Sequence, residues 1–185
     1  MKNRLAITLL CCLVLIQIVV PFSMISSREG VLKNGYQLKF KTAPVDPYDA
    51  FRGRYVALRI EGDSVPVSNG VKFIPGQNVY ALISVDEQGF AKFTALAKSR
   101  PKGAPYIKAR VRYISLENTF LDLPIDRYYM EESSAPAAER AYREHSWRGR
   151  QDAYVLVSVK DGAVVIRGLY VGGKRIEEVI RGIKS

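Results

Sequence analysis

Residues 5–25 form one nearly unbroken apolar run, and it decides more about this chain than any other feature. Only Gln17 and Pro21 interrupt it strongly. About 20 consecutive apolar residues cross the hydrocarbon core of a bilayer as a helix. A helix satisfies its own backbone groups there, which a single extended segment cannot. Packed into a globular domain, the same run would leave that domain strangely apolar at one end. Lys2 and Arg4 precede the run, and flanking cations keep their side of a membrane helix in the cytoplasm. The organisation expected is a cytoplasmic N-terminus at residues 1–4, a transmembrane signal anchor at 5–25, a polar linker at 26–34 and an extracytoplasmic domain at 35–185. The expected location is the inner (cytoplasmic) membrane of a bacterial cell, single-pass, with the C-terminal domain periplasmic.

A cleaved signal peptide is the rival reading. Against it, the apolar stretch is long and no A-x-A site follows. The best available cut, after Ser27, would put Ile25 and Ser27 in slots that favour small residues. A lipoprotein reading is weaker. Cys11 and Cys12 come before most of the apolar run, and the residues preceding them, Leu10 and Cys11, are large for that motif. These are the chain's 2 cysteines, so residues 35–185 can form no disulfide, thiolate metal site or cysteine nucleophile.

The chain has 185 residues. About 155 remain beyond the anchor, enough for one domain with a proper core. The formal net charge is +10. The first 29 residues hold Lys2, Arg4 and Arg28 against Glu29, which leaves the remainder at +8. The positive balance belongs to the domain, and it favours anionic lipid, envelope polymers or acidic partners. Nucleic acid is not expected, because the basic residues are spread along strands and do not cluster with stacking aromatics.

Beyond residue 35 the periodicity is that of strands. Tyr36, Leu38 and Phe40 alternate with Gln37, Lys39 and Lys41, the pattern of a half-buried strand. Pro44 and Pro47 then stop it. Residues 54–60 resume β character, with Val56, Leu58 and Ile60 on one side. Residues 78–85 and 90–97 flank Asp86, Glu87, Gln88 and Gly89, a hairpin signature. A basic loop at 99–105 leads to a strand with Ile107, Ala109, Val111 and Tyr113 on one face and Lys108, Arg110 and Arg112 on the other. Ser134 is placed to cap a short helix running to about His145, with Ala138, Ala141, Tyr142 and His145 on one face. Residues 153–160 and 163–168 flank Asp161 and Gly162, a tight-turn pair. Gly172 and Gly173 mark a further turn before Lys174 and Arg175. Short loops and sequential hairpins give a mainly β fold: an antiparallel β-sandwich or partly open barrel with one short helix, plus the N-terminal transmembrane helix.

Residues 45–60 read VDPYDAFRGRYVALRI, and this stretch resembles the signature of the GDYXXLXY family. Gly53, Tyr55 and Leu58 match; Arg54 stands where the signature has Asp, and Ile60 where it has its last Tyr. That exchange argues against a metal or general-base role at position 54. Asp126, Arg127, Tyr128 and Tyr129 resemble a second family segment, and residues 161–174 its C-terminal hairpin. The resemblance covers about residues 36–178. It implies a bacterial, membrane-anchored extracytoplasmic protein of unknown function that accompanies a multi-pass membrane protein. It implies no activity.

The residues themselves offer no catalytic set, metal site or cofactor signature. His145, the 1 histidine, lies among Arg140, Arg143, Arg148 and Arg150, and no G-x-S-x-G supplies a nucleophile. Asp46 and Asp49 bracket a turn where an Asx-turn explains them better than acid–base work. Arg52, Gly53, Arg54 and Tyr55 sit where a loop enters a strand. There an arginine can clamp an anion, or Tyr55 can simply fill a corner. Asp126, Arg127 and Tyr128 read either as an ion pair with aromatic packing or as a groove lining. Asp46, Asp49, Arg52, Gly53, Arg54, Tyr55, Asp126, Arg127 and Tyr128 are therefore the candidate binding surface. The expected role is a non-enzymatic accessory module for an integral membrane partner. The alternatives are an envelope hydrolase or transferase using Asp46 or Asp126, and a binder of anionic lipid or envelope polymer.

Overall fold

A computed structural model describes residues 2–43, 55–67, 72–146 and 151–183. Helix α1 (Lys2–Asn34) opens the chain. By length and composition it could cross a membrane, and its apolar side chains from Ile7 to Ile25 are exposed. The polar linker expected at 26–34 is not a separate segment, because the helix runs straight through it. The physical reason is that its last turns find a partner in the domain. Val31 is buried, Arg28 Nη1 donates to the Val164 carbonyl at 3.2 Å, and Arg167 Nη1 donates to the Leu32 carbonyl at 2.6 Å. A cation at a helix C-terminus satisfies orphan carbonyls and opposes the helix dipole.

Two five-stranded antiparallel sheets follow. The first has the order β12 (Lys174–Arg175), β11 (Ala163–Val171), β10 (Tyr154–Lys160), β1 (Tyr36–Ala43), β3 (Arg59–Ile60). The second has the order β4 (Ser64–Pro66), β8 (Asn118–Asp122), β7 (Tyr106–Ile114), β5 (Asn78–Val85), β6 (Ala91–Ala97). A ribbon of β2 (Tyr55–Ala57) and β9 (Arg127–Tyr129) stands beside them. Isolated bridges Lys39–Phe90 and Ile107–Gly162 stitch the two sheets into a nearly closed, barrel-like whole. Closure hides edges that would otherwise invite pairing with other chains. The core lies between the sheets, around Phe40, Ile107, Leu121, Val155, Val157 and Leu169. Phe40 of β1 stacks on Phe93 of β6, ring centres 5.2 Å apart, so one aromatic pair bridges both sheets.

Both expected hairpins form. Asp86 closes the first, its Oδ1 accepting the amides of Gln88 and Phe90. The second turns on Asp161 and Gly162, with φ of 53° and 79°, the left-handed pair that a two-residue hairpin favours. Gly162 meets a second constraint, since a Cβ there would lie 2.7 Å from Cε2 of Tyr106. Tyr36, expected inward, is 70 % exposed at the start of β1. Tyr113 also departs from its expected face, because a bulge between Val111 and Tyr113 advances the register by one residue. The bulge also re-aims Arg112, whose guanidinium reaches Asp122 at 2.6 Å, Asp63 at 3.2 Å and the Leu121 carbonyl at 2.8 Å.

Helix α2 (Ala135–Ser146) forms where Ser134 suggested, and buries Ala138, Ala141 and Tyr142. The Ser134 carbonyl accepts the amide of Ala138 at 3.0 Å, as the residue before a helix does. A further helix, α3 (Ile176–Ile183), was not expected. Ile176 and Ile180 are buried and Glu177 and Glu178 fill its first turn, a favourable place for carboxylates.

Candidate functional site

Two separated segments singled out in the sequence meet in the β2–β9 ribbon. Tyr55 pairs with Tyr129, Val56 with Tyr128 and Ala57 with Arg127. Strand alternation sorts these six residues onto two faces. Val56 and Tyr128 point into the protein, at 0 % and 9 % exposure. Tyr55, Arg127 and Tyr129 face outward, and Tyr129 is 67 % exposed.

The outward face is an aromatic–cation ladder. Tyr55 and Tyr129 meet edge-on with ring centres 5.7 Å apart. The Arg127 guanidinium lies 5.1 Å above the Tyr55 ring, within cation–π range. Arg127 Nε is also 3.3 Å from an oxygen of Asp126. Tyr129 first, and then Asp126, raise the pKa of Arg127 above its already high value, so the face is permanently cationic. The Asp126 backbone carbonyl accepts the amide of Leu58 at 2.8 Å, which ties the ribbon to the chain between β2 and β3. Asp126 itself is an exposed partner in an ion pair, a geometry that contributes little stability.

The inward face is anchored differently. The Tyr128 hydroxyl donates to Oε1 of Glu177 in α3. Burial, reinforced by that carboxylate, pushes the Tyr128 hydroxyl up to about 12. Arg175 Nε lies 3.6 Å from Oε2 of Glu177, an oxygen that is buried without a hydrogen bond among the described residues. Contact with Tyr128, and then the charge of Glu177, raise the pKa of Arg175. Arg175 and Glu177 were not foreseen as site residues. They follow the Gly172–Gly173 turn, and no spacing in the sequence links them to Tyr128.

Of the candidate surface, Tyr55, Arg127 and Tyr128 are brought together with Asp126 beside them. Asp46, Asp49, Arg52, Gly53 and Arg54 lie outside the described residues. His145 Nδ1 is 2.7 Å from Asp152 Oδ1, a pairing that could orient an imidazole. No hydroxyl is hydrogen-bonded to that ring among the described residues, nor do three or more His, Cys, Asp or Glu residues converge as metal ligands there.

A mainly antiparallel β domain seated on an apolar N-terminal helix, with an aromatic–cation ladder outside, defines the class. The chain belongs to the GDYXXLXY protein family, whose model matches residues 17–169. The match begins inside α1, so it takes in the turns that sit on the sheet. No curated protein and no solved structure matches the chain.

Proposed function

We propose that the protein is a single-pass, membrane-anchored accessory module of a bacterial cell. Helix α1 crosses the cytoplasmic membrane with Lys2 and Arg4 inside, and the β domain stands on the periplasmic side. The domain docks an integral membrane partner through Tyr55, Arg127 and Tyr129 and carries out no chemistry of its own. The exposed ladder carries this reading. Tyrosine and arginine dominate binding hot spots because each offers a large rigid surface with a polar end.

Affinity purification of the full-length protein in mild detergent tests it. A stoichiometric multi-pass partner that is lost with Arg127→Glu, while the variant melts like wild type, is the expected result. A partnerless wild-type protein would refute the accessory role.

A further inference from the structure

A cleft of about 630 Å³ opens where α1 meets the domain. Tyr36, two residues beyond the end of the helix, forms one wall with Val159. Arg100, Lys102, Tyr106 and Asp161 form the rest of its polar lining. Its charge is lopsided. Arg100 is ion-paired with Asp161, whereas Lys102 has no ion pair or hydrogen bond among the described residues. Lys160 adjoins Asp161 at the hairpin tip, and the Lys108 side chain lies against Gly162. Both are likewise unpaired among the described residues. Tyr106 is 7 % exposed, and its hydroxyl is buried without a hydrogen-bond partner there.

The position of the cleft follows from α1. Ile25, the last residue of the exposed apolar run, precedes Arg28 by three residues, a rise of about 4.5 Å. Arg28 reaches the carbonyl of Val164, which pairs with Val159 in the cleft wall. The headgroup layer extends roughly 5–8 Å beyond the hydrocarbon on each side. With the apolar run in hydrocarbon, the tip and its lysines stand at headgroup depth.

We infer that this cleft binds the phosphate of an anionic glycerophospholipid, with Lys102 as its principal cation and Arg100, Lys108 and Lys160 supplying the surrounding field. The inference rests on α1 being a membrane anchor. Its occupant is lipid because the cleft lies beside the exit of the helix from the apolar layer. Cations at that depth each strengthen attachment to anionic lipid.

The test is native mass spectrometry of the full-length protein in detergent. It is titrated with phosphatidylglycerol, with phosphatidylcholine and with inorganic phosphate. Wild type is expected to retain one phosphatidylglycerol in preference to phosphatidylcholine. Lys102→Gln should weaken that retention about fivefold, and Lys102→Gln with Lys160→Gln further. Lys174→Gln, beyond the far end of β11, should leave it unchanged. Equal retention of both lipids, or no effect of the lysine variants, overturns the site. Displacement of the lipid by millimolar inorganic phosphate overturns the lipid assignment. Alkaline carbonate extraction of the membranes separates the two readings. Extracted protein sinks the anchor, whereas resistant protein without lipid preference sinks only the headgroup cleft.

Discussion

Arg175 Nη2 donates to the backbone carbonyl of Arg167 at 3.2 Å, and Arg167 in turn holds the end of α1 through the Leu32 carbonyl. Arg175 also faces Glu177, which accepts the Tyr128 hydroxyl. A continuous chain of polar contacts thus runs from the inner side of the candidate ribbon to the helix that carries the domain.

Arg167→Leu cuts that chain at the helix. It removes charge-assisted bonds to Leu32 and to Ser158 Oγ, the latter at 3.1 Å. We expect a loss of about 2 kcal/mol, the worth of hydrogen bonds to a charged group, in denaturant unfolding of the full-length protein in detergent. Spin labels on either side of Asn34 should also become more mobile relative to each other. Unchanged mobility would mean that the helix is not held by this contact.

Gly35 joins α1 to β1 where a side chain has no room. A Cβ would stand 2.5 Å from the Val31 carbonyl oxygen and 3.0 Å from that of Val159, both backbone atoms. Gly35→Ala should therefore destabilise by about 1–3 kcal/mol, as overpacking does. The same exchange at Gly30, which has nothing within 4 Å, should be neutral or better because alanine favours helix. Thermal melts of the two variants give the comparison.

Tyr128 supplies a pH dependence with a definite sign. Its hydroxyl is held up to about 12, while in the unfolded chain it ionises near 10. Below pH 10 both states keep the proton, and stability is unaffected. Between pH 10 and about 12 the unfolded chain loses its proton first, so stability falls as pH rises. Tyr142, raised by burial, adds to the same limb. Tyr128→Phe should flatten part of that decline in alkaline unfolding curves. A decline as steep as wild type would show that Tyr128 is not the group responsible.

Phe40 and Phe93 join the two sheets, so Phe40→Ala should cost about 3–5 kcal/mol, the range for emptying a large core site. Chemical denaturation checks this, and a loss under 1 kcal/mol would mean that the sheets are held together elsewhere.

How far these elements were legible in the sequence depends on the range of the forces that set them. Local chemistry was readable. Asp161 with Gly162, Asp86 with Gly89, and Ser134 before an alanine-rich stretch each encode their own turn or cap. Effects set by packing were not. The bulge at Arg112 brings its guanidinium to Asp122 and to Asp63, and Asp63 lies 49 positions away. Residues 26–34 read as a linker because their partners, Val164 and Arg167, are on a distant hairpin. Helix α3 was legible in principle, since Ile176, Val179, Ile180 and Ile183 follow helical spacing, but its 8 residues are too few for that spacing to stand out. For the candidate site, the segments at Tyr55 and Arg127 were separately visible. Their pairing, and the Glu177–Arg175 support behind Tyr128, are products of the fold.

Site-specific photocrosslinking from position 129 of the full-length protein in native membranes tests the accessory reading most directly. Tyr129 replaced by a photoreactive residue should crosslink to one integral membrane protein, and Arg127→Glu should abolish the product. The same probe at Val85, exposed at the end of β5, should give none. No product from position 129, or the same products from both positions, would contradict a partner docked on the Tyr55–Arg127–Tyr129 face.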